Sequence, residues 1–204
     1  MNKSRFEAFS DGVFAFAITL LILGLVLPEF KTGVPTEAEL SRALLNLWSS
    51  LLAYILSFAV IGIMWHNHQA LFRCVRQVDR ITVLINLGLL GVTAFIPFAT
   101  STLGSYPTLR PSTFLYGATL TSSSILFNLL VFHLRRTHSF LPNYSDQMIH
   151  QTAVAYRTGL IVYFVATMTA LLLPLLSFAL YLLVAAYFLF PRGVDTDLQD
   201  PPPG

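Results

Sequence analysis

A carboxylate, Asp11, stands just below an apolar run, Val13 to Leu27, that contains no ionisable residue. Ser10 precedes it and Arg5 lies six residues upstream. An unpaired carboxylate taken out of water costs on the order of several kcal/mol or takes up a proton, so Asp11 needs a partner. The candidates are Arg5 and the two histidines of W-H-N-H, His66 and His68. Three chemistries suit this set: helix capping by Ser10 or Asp11, a structural polar cluster at the foot of the first helix, or proton and ion handling by carboxylate and imidazole. A metal site is the weakest reading. The i, i+2 spacing puts His66 and His68 on different helix faces, and no Cys, Asp or Glu lies close enough in sequence to complete a ligand set. A hydrogen-bonded pair contacting Asp11, with Trp65 at a membrane interface, fits better. Catalysis has no signature: G-x-S-x-G, H-E-x-x-H and a phosphate-cradling glycine loop are all absent, so no enzyme and no cofactor is expected. Asn86, Thr93 and Asn128 read as helix-to-helix hydrogen bonds.

The elements that must position these residues are helices in a bilayer. With 204 residues, 55% apolar and 11% charged, the chain is expected to be an all-α integral membrane protein. A net charge of +2 from scattered basic residues gives no case for nucleic acid. Val13 to Leu27 would rise only about 22 Å as a helix, short of the roughly 30 Å hydrocarbon core, whereas a start at Phe6 gives about 33 Å. Ser10 and Asp11 then fall inside the helix, which favours the polar cluster over capping. The same helix repeats Gly12, Phe16, Thr19, Leu20, Leu23 and Leu27 at helical spacing.

Six spans are expected, at approximately 6–27, 44–65, 81–103, 112–134, 155–173 and 175–190, in one domain covering 1–192. Pro97 predicts a kink in the third span, and Pro174 divides the last apolar block. Thr36 to Glu39 reads as a capping box opening the second span. Residues 193–204, acidic and proline-rich, predict a disordered cytoplasmic tail. Glu7 and Asp11 argue for an uncleaved first span rather than a signal peptide. Cys74, the one cysteine, reads as an ordinary thiol. In this layout nine of the twelve basic residues fall on the side of the termini, and only Lys31, Arg42 and Arg110 fall opposite. The positive-inside rule then makes both termini cytoplasmic.

The stretch R-x-x-x-F-S-D-G from Arg5 to Gly12, followed by V-F-A-F-A-I-T-L-L-I-L, and W-H-x-H at the end of span two, resemble the transmembrane-protein-175 family of potassium channels in its prokaryotic single-repeat form. The resemblance implies a homotetramer in the cell membrane whose first helices line a central pore permeable to K+. It implies a constriction of apolar rings at Phe16, Leu20 and Leu23 in place of a carbonyl filter, with Thr19 linked to selectivity. It also implies that Arg5, Phe9, Ser10 and Asp11 hold span one against spans two and three, with His66 among the partners. The family's innermost ring is usually isoleucine or leucine, where this chain has Phe16. T-V-G-Y-G and the spaced arginines of a voltage sensor are absent. Two other functions remain open from the residues: a proton-coupled secondary transporter using Asp11 and His66, and a membrane scaffold that transports nothing.

Overall fold

In a computed structural model, residues 3–30, 33–142 and 144–188 are described. They form seven α-helices: α1 (Lys3–Leu20), α2 (Glu37–Asn46), α3 (Trp48–Arg73), α4 (Arg80–Ser105), α5 (Arg110–Arg136), α6 (Asp146–Thr169) and α7 (Pro174–Phe188). A 3-10 turn, Leu21–Gly24, continues α1. The expected tail, 193–204, lies outside the described residues, as do the last two residues of the expected sixth span.

Local chemistry sets the helix ends. The capping box forms as read, with the Thr36 hydroxyl accepting from the Glu39 amide and the Glu39 carboxylate accepting from the Thr36 amide at 2.8 Å. Those bonds from Thr36 hold the Glu39 carboxyl below its ordinary value. The box opens α2, however, a separate short helix that ends at Asn46, and α3 starts afresh at Trp48. Asp79 caps α4 by accepting from the Thr82 amide at 2.7 Å, and its other oxygen lies 2.9 Å from His133 Nε2 near the end of α5. Desolvation opposes its charge, but the Thr82 and His133 contacts outweigh it and hold this carboxyl at about 2. Proline opens α7 at Pro174 and lies at the start of α5, where its missing N–H costs nothing.

Two helices run well past their apolar segments. Span two was expected to end at Trp65, but α3 continues to Arg73 because W-H-N-H-Q-A-L-F-R has no Gly or Pro and buries His68, Ala70, Leu71 and Phe72. Likewise α6 begins at Asp146 rather than 155, capped by Ser145, and Ile149, Ala153 and Tyr156 in this first half are buried at helical spacing. The first helix is shorter than expected. Pro28 has no N–H to donate to the Gly24 carbonyl and keeps Leu27 out of helical conformation, so the helix cannot reach Leu27. Its last turn tightens instead and presses Gly24 against α4, where a Cβ would lie 3.2 Å from that of Ser101. Helix α4 runs uninterrupted through Pro97.

Four of these segments are long and apolar enough to cross a membrane: Lys3–Gly24, Trp48–Arg73, Arg80–Ser105 and Arg110–Arg136. Helix α1 packs on α3 and α4, α4 on α5, α5 on α6, and α7 closes against α3, α5 and α6. Their common core includes Phe14, Leu21, Leu56, Ile96, Tyr116 and Tyr181. Polar links cross it: Thr100 donates to Ser57 at 2.7 Å, and Ser57 lies 3.0 Å from the Tyr116 hydroxyl. Gly117 is required at the α5–α7 contact, since a Cβ there would sit 1.9 Å from the Tyr181 hydroxyl oxygen. At the end near the N-terminus, Val75 and Phe140 form an isolated bridge. Beside it the Leu141 amide donates to the carbonyl of Cys74, which is buried.

Candidate pore helix and its anchor

Helix α1 divides into two faces. Phe6, Ser10, Phe14, Ala17 and Leu21 are buried against α3 and α4. Across the helix, Phe9, Gly12, Phe16, Thr19 and Leu23 are exposed, with Phe9 at 56%, Phe16 at 63% and Leu23 at 69%. These positions repeat at intervals of three and four, the seam by which helices pack around a common axis. Helix and turn together rise roughly 35 Å, enough to cross the hydrocarbon core. The Thr19 hydroxyl donates to the Phe16 carbonyl at 2.8 Å. Its proton is thus satisfied within the helix, and its oxygen keeps free lone pairs on the exposed face. Leu20 is half-buried and stands to one side of the seam.

The foot of α1 is anchored by two hydrogen-bonded groups. In the first, Asn86 of α4 is the hub. Its Nδ2 donates to Ser10 Oγ at 3.0 Å, Ser10 donates to the Phe6 carbonyl at 3.0 Å, and Asn86 Oδ1 lies 2.9 Å from His68 Nε2. The Asn86 carbonyl can only accept, so the assigned geometry puts a proton on His68 Nε2. All three side chains are buried. The His68 ring sits among Phe6, Phe14 and Phe72, with centroids at 6.3, 5.4 and 4.6 Å. In the second group, Asp11 Oδ1 accepts from Trp65 Nε1 at 2.9 Å and from Gln69 Nε2 at 3.1 Å. Trp65 and Gln69 are four residues apart, hence on one face of α3. Below them, Lys3 donates to the Val75 carbonyl at 2.7 Å and pairs with Glu7 at 3.7 Å.

Of the residues expected in this network, Ser10, Asp11, Trp65 and His68 are brought to the foot. Arg5, Phe9 and His66 are not: all three are exposed, and Phe9 shares the face of Phe16. Asp11 is held by two neutral donors rather than by Arg5 or a histidine. Trp65 serves as a hydrogen-bond donor to α1 rather than as a free interfacial anchor. Asn86 was read as a helix-to-helix bond without a partner. Asn128 does cross helices, donating to the Tyr156 carbonyl at 2.9 Å, while the Thr93 hydroxyl bonds its own helix. Gln69, Phe6 and Phe72 were missed. The Trp65–Gln69 spacing was the available signal for the first of them. Among the described residues, no group of three or more His, Cys, Asp or Glu could hold a metal ion.

Residues 5–97, which contain most of α1, the Ser10–Asn86–His68 and Asp11–Trp65–Gln69 groups and most of α4, match the sequence model of the family described as endosomal/lysosomal potassium channel TMEM175. A protein of Streptomyces collinus named a potassium channel is 38% identical over 198 residues, covering 93% of each chain. This chain belongs to the TMEM175 family. A second relative named a potassium channel, from Chamaesiphon minutus, is 36% identical over 191 residues, covering 92% of this chain and 93% of its own. The crystal structure of a Chamaesiphon minutus homologue of the lysosomal potassium-selective channel TMEM175 superposes with a TM-score of 0.80 at 34% identity. It covers 92% of this chain and 96% of that one. Membership in TMEM175, together with the apolar helices, makes this a multi-pass membrane protein, and the family and these relatives are ion channels rather than enzymes.

Proposed function

We propose that the chain is one subunit of a homotetrameric, potassium-permeable channel of the cell membrane, with α1 from each subunit lining the pore. The observation that carries this reading is the division of α1: one face is locked into its own subunit, while the opposite face presents Phe16, Thr19 and Leu23 in a seam left exposed among the described residues. The potassium-channel relatives supply the permeating ion.

In this reading six helices cross the membrane. The first four are long and apolar, α6 and α7 complete the set, and α2 lies in the first loop. Both termini are cytoplasmic, as the charge asymmetry favours. Around a fourfold axis, Phe16 and Leu23 form two apolar rings roughly 12 Å apart along the helix, with Thr19 oxygens between them. Leu20, half-buried, backs these rings rather than forming a third. An apolar ring gates by dewetting and passes an ion only when it dilates. A cation crossing it must shed part of its water. Potassium does so at lower cost than sodium, and the Thr19 lone pairs offer partial replacement between the rings. The anchor keeps α1 in register while this happens. The transporter reading needs Asp11 and His66 to act together, whereas the donors that Asp11 accepts from are Trp65 and Gln69.

The test is current across a planar bilayer containing the purified protein, with potassium on one side and sodium on the other. A reversal potential displaced toward potassium, with unitary steps, is the expected result. Reversal at zero would keep the pore and remove selectivity. Folded, oriented protein that passes no current, or a saturating flux that follows the proton gradient, would overturn the channel.

A further inference from the structure

The end of the bundle near the N-terminus holds a second concentration of charge, away from α1. A cleft of about 510 Å³ opens between α5 and α6, walled by Arg135, Arg136, His138 and Arg157. The three arginines are exposed, and none forms an ion pair among the described residues. The ordinary account of Arg135 and Arg136 is that cations suit a helix C-terminus. That account does not reach Arg157, which stands eleven residues past Asp146 in the body of α6. Several like charges converging on one cleft repel each other unless an anion sits between them.

The walls are fixed rather than loose. Asn128 donates to the Tyr156 carbonyl at 2.9 Å, which ties α6 to α5 beside Arg157. His138 adopts φ 49°, in the left-handed region. The amides of His138 and Ser139 bond back to the Arg135 and Leu134 carbonyls at 3.2 and 3.0 Å, which holds it there.

The floor is apolar. Val131, Phe132 and Ala153 line the cleft below the arginines. From Phe132, which is 57% exposed, Leu129 and Ile125 continue an exposed apolar stripe down α5 at helical spacing. A free phosphate would use the charged mouth and leave this floor and stripe bare. A lipid uses both.

We infer that this cleft binds a phospholipid with an anionic headgroup, its phosphate held by Arg135, Arg136 and Arg157 and its acyl chain laid along Phe132, Leu129 and Ile125. Guanidinium groups suit phosphate because their N–H forks pair with its oxygens, and basic clefts between membrane helices take such headgroups. The inference goes beyond ion conduction and does not depend on whether the chain conducts.

Native mass spectrometry of the full-length protein in neutral detergent tests it, with dioleoylphosphatidylglycerol and dioleoylphosphatidylcholine added at equal concentration. Wild-type protein is expected to retain the anionic lipid preferentially. Arg157→Gln should lower that retention about fivefold, and Arg135→Gln with Arg136→Gln further, at about fivefold for each arginine removed. Arg110→Gln, at the other end of α5, should leave retention unchanged. Equal retention of the neutral lipid by every variant reports an intact fold. Arg157→Lys, which keeps the charge with less perturbation, should fall between Arg157→Gln and wild type. Equal retention of the two lipids by wild type, or retention of the anionic lipid at the wild-type level by the Arg135, Arg136 and Arg157 variants, would overturn the site. Displacement of the lipid by inorganic phosphate at matched concentration would assign the cleft to a soluble anion and overturn the lipid.

Discussion

Along one side of α1, Phe6, Ser10, Phe14, Ala17 and Leu21 are enclosed by the subunit, while on the other Phe9, Phe16, Thr19 and Leu23 are exposed. The buried side and the half-buried Asp11 beside it carry hydrogen bonds to two neighbouring helices. On the exposed side, Thr19 bonds only within α1. The contrast separates two kinds of residue on one helix. Substitution on the first side should be read in folding, and on the second in permeation.

Asn86→Leu is the strongest blow to the buried side. It removes the hub between Ser10 and His68 and leaves a buried imidazole without its partner, at about 1–3 kcal/mol. The yield of folded protein and the thermal midpoint should both drop clearly. Asp11→Ala comes next. It strands the Trp65 and Gln69 donors at the more solvated edge of the anchor, and about 1–2 kcal/mol is expected. Its damage should show in assembled protein on size exclusion more than in ion selectivity. Wild-type assembly with altered selectivity would move Asp11 from the buried side to the pore. Phe16→Ala should change subunit stability by no more than about 0.5 kcal/mol, as at other exposed sites, while widening the pore and raising leak. Unchanged sodium and potassium currents in that variant would take Phe16 out of the pore and erase the contrast. Thr19→Val is the mildest for the fold, because the lost bond lies within a single helix turn. Its expected signature is a shift of reversal potential between potassium and sodium at unaltered yield.

Much of α1 was legible because its pattern is local. A stripe at helical spacing above a polar foot needs only the helical period to be seen. The anchor was harder to read. Ser10, Trp65 and His68 stood out as polar or interfacial types beside apolar runs, but which of them meet depends on how α1, α3 and α4 cross. Asn86 is one amide in a long apolar helix, and nothing within α4 singles it out from Thr93. Arg5 was the natural partner for Asp11 by charge, yet Trp65 and Gln69 reach it because they share one face of α3. The continuation of α3 through W-H-N-H-Q-A-L-F-R and the early start of α6 were obscured for a different reason. Both stretches are polar, and polarity beside an apolar span reads as loop. The absence of Gly and Pro and the spacing of His68, Leu71 and Phe72, or of Ile149, Ala153 and Tyr156, carried the helical signal.

The burial of Cys74 has a practical side. The chain has one cysteine, which is buried and donates to the Ala70 carbonyl at 3.3 Å. The wild-type protein should therefore stay dark to maleimide dyes, and a single introduced cysteine would be the only bright position. At Ala38, exposed on α2, such a reporter would be reached from outside an intact cell if the first loop is external. At Ala15, exposed on α1, its labelling would report whether that side stays open to solvent or is covered by another subunit.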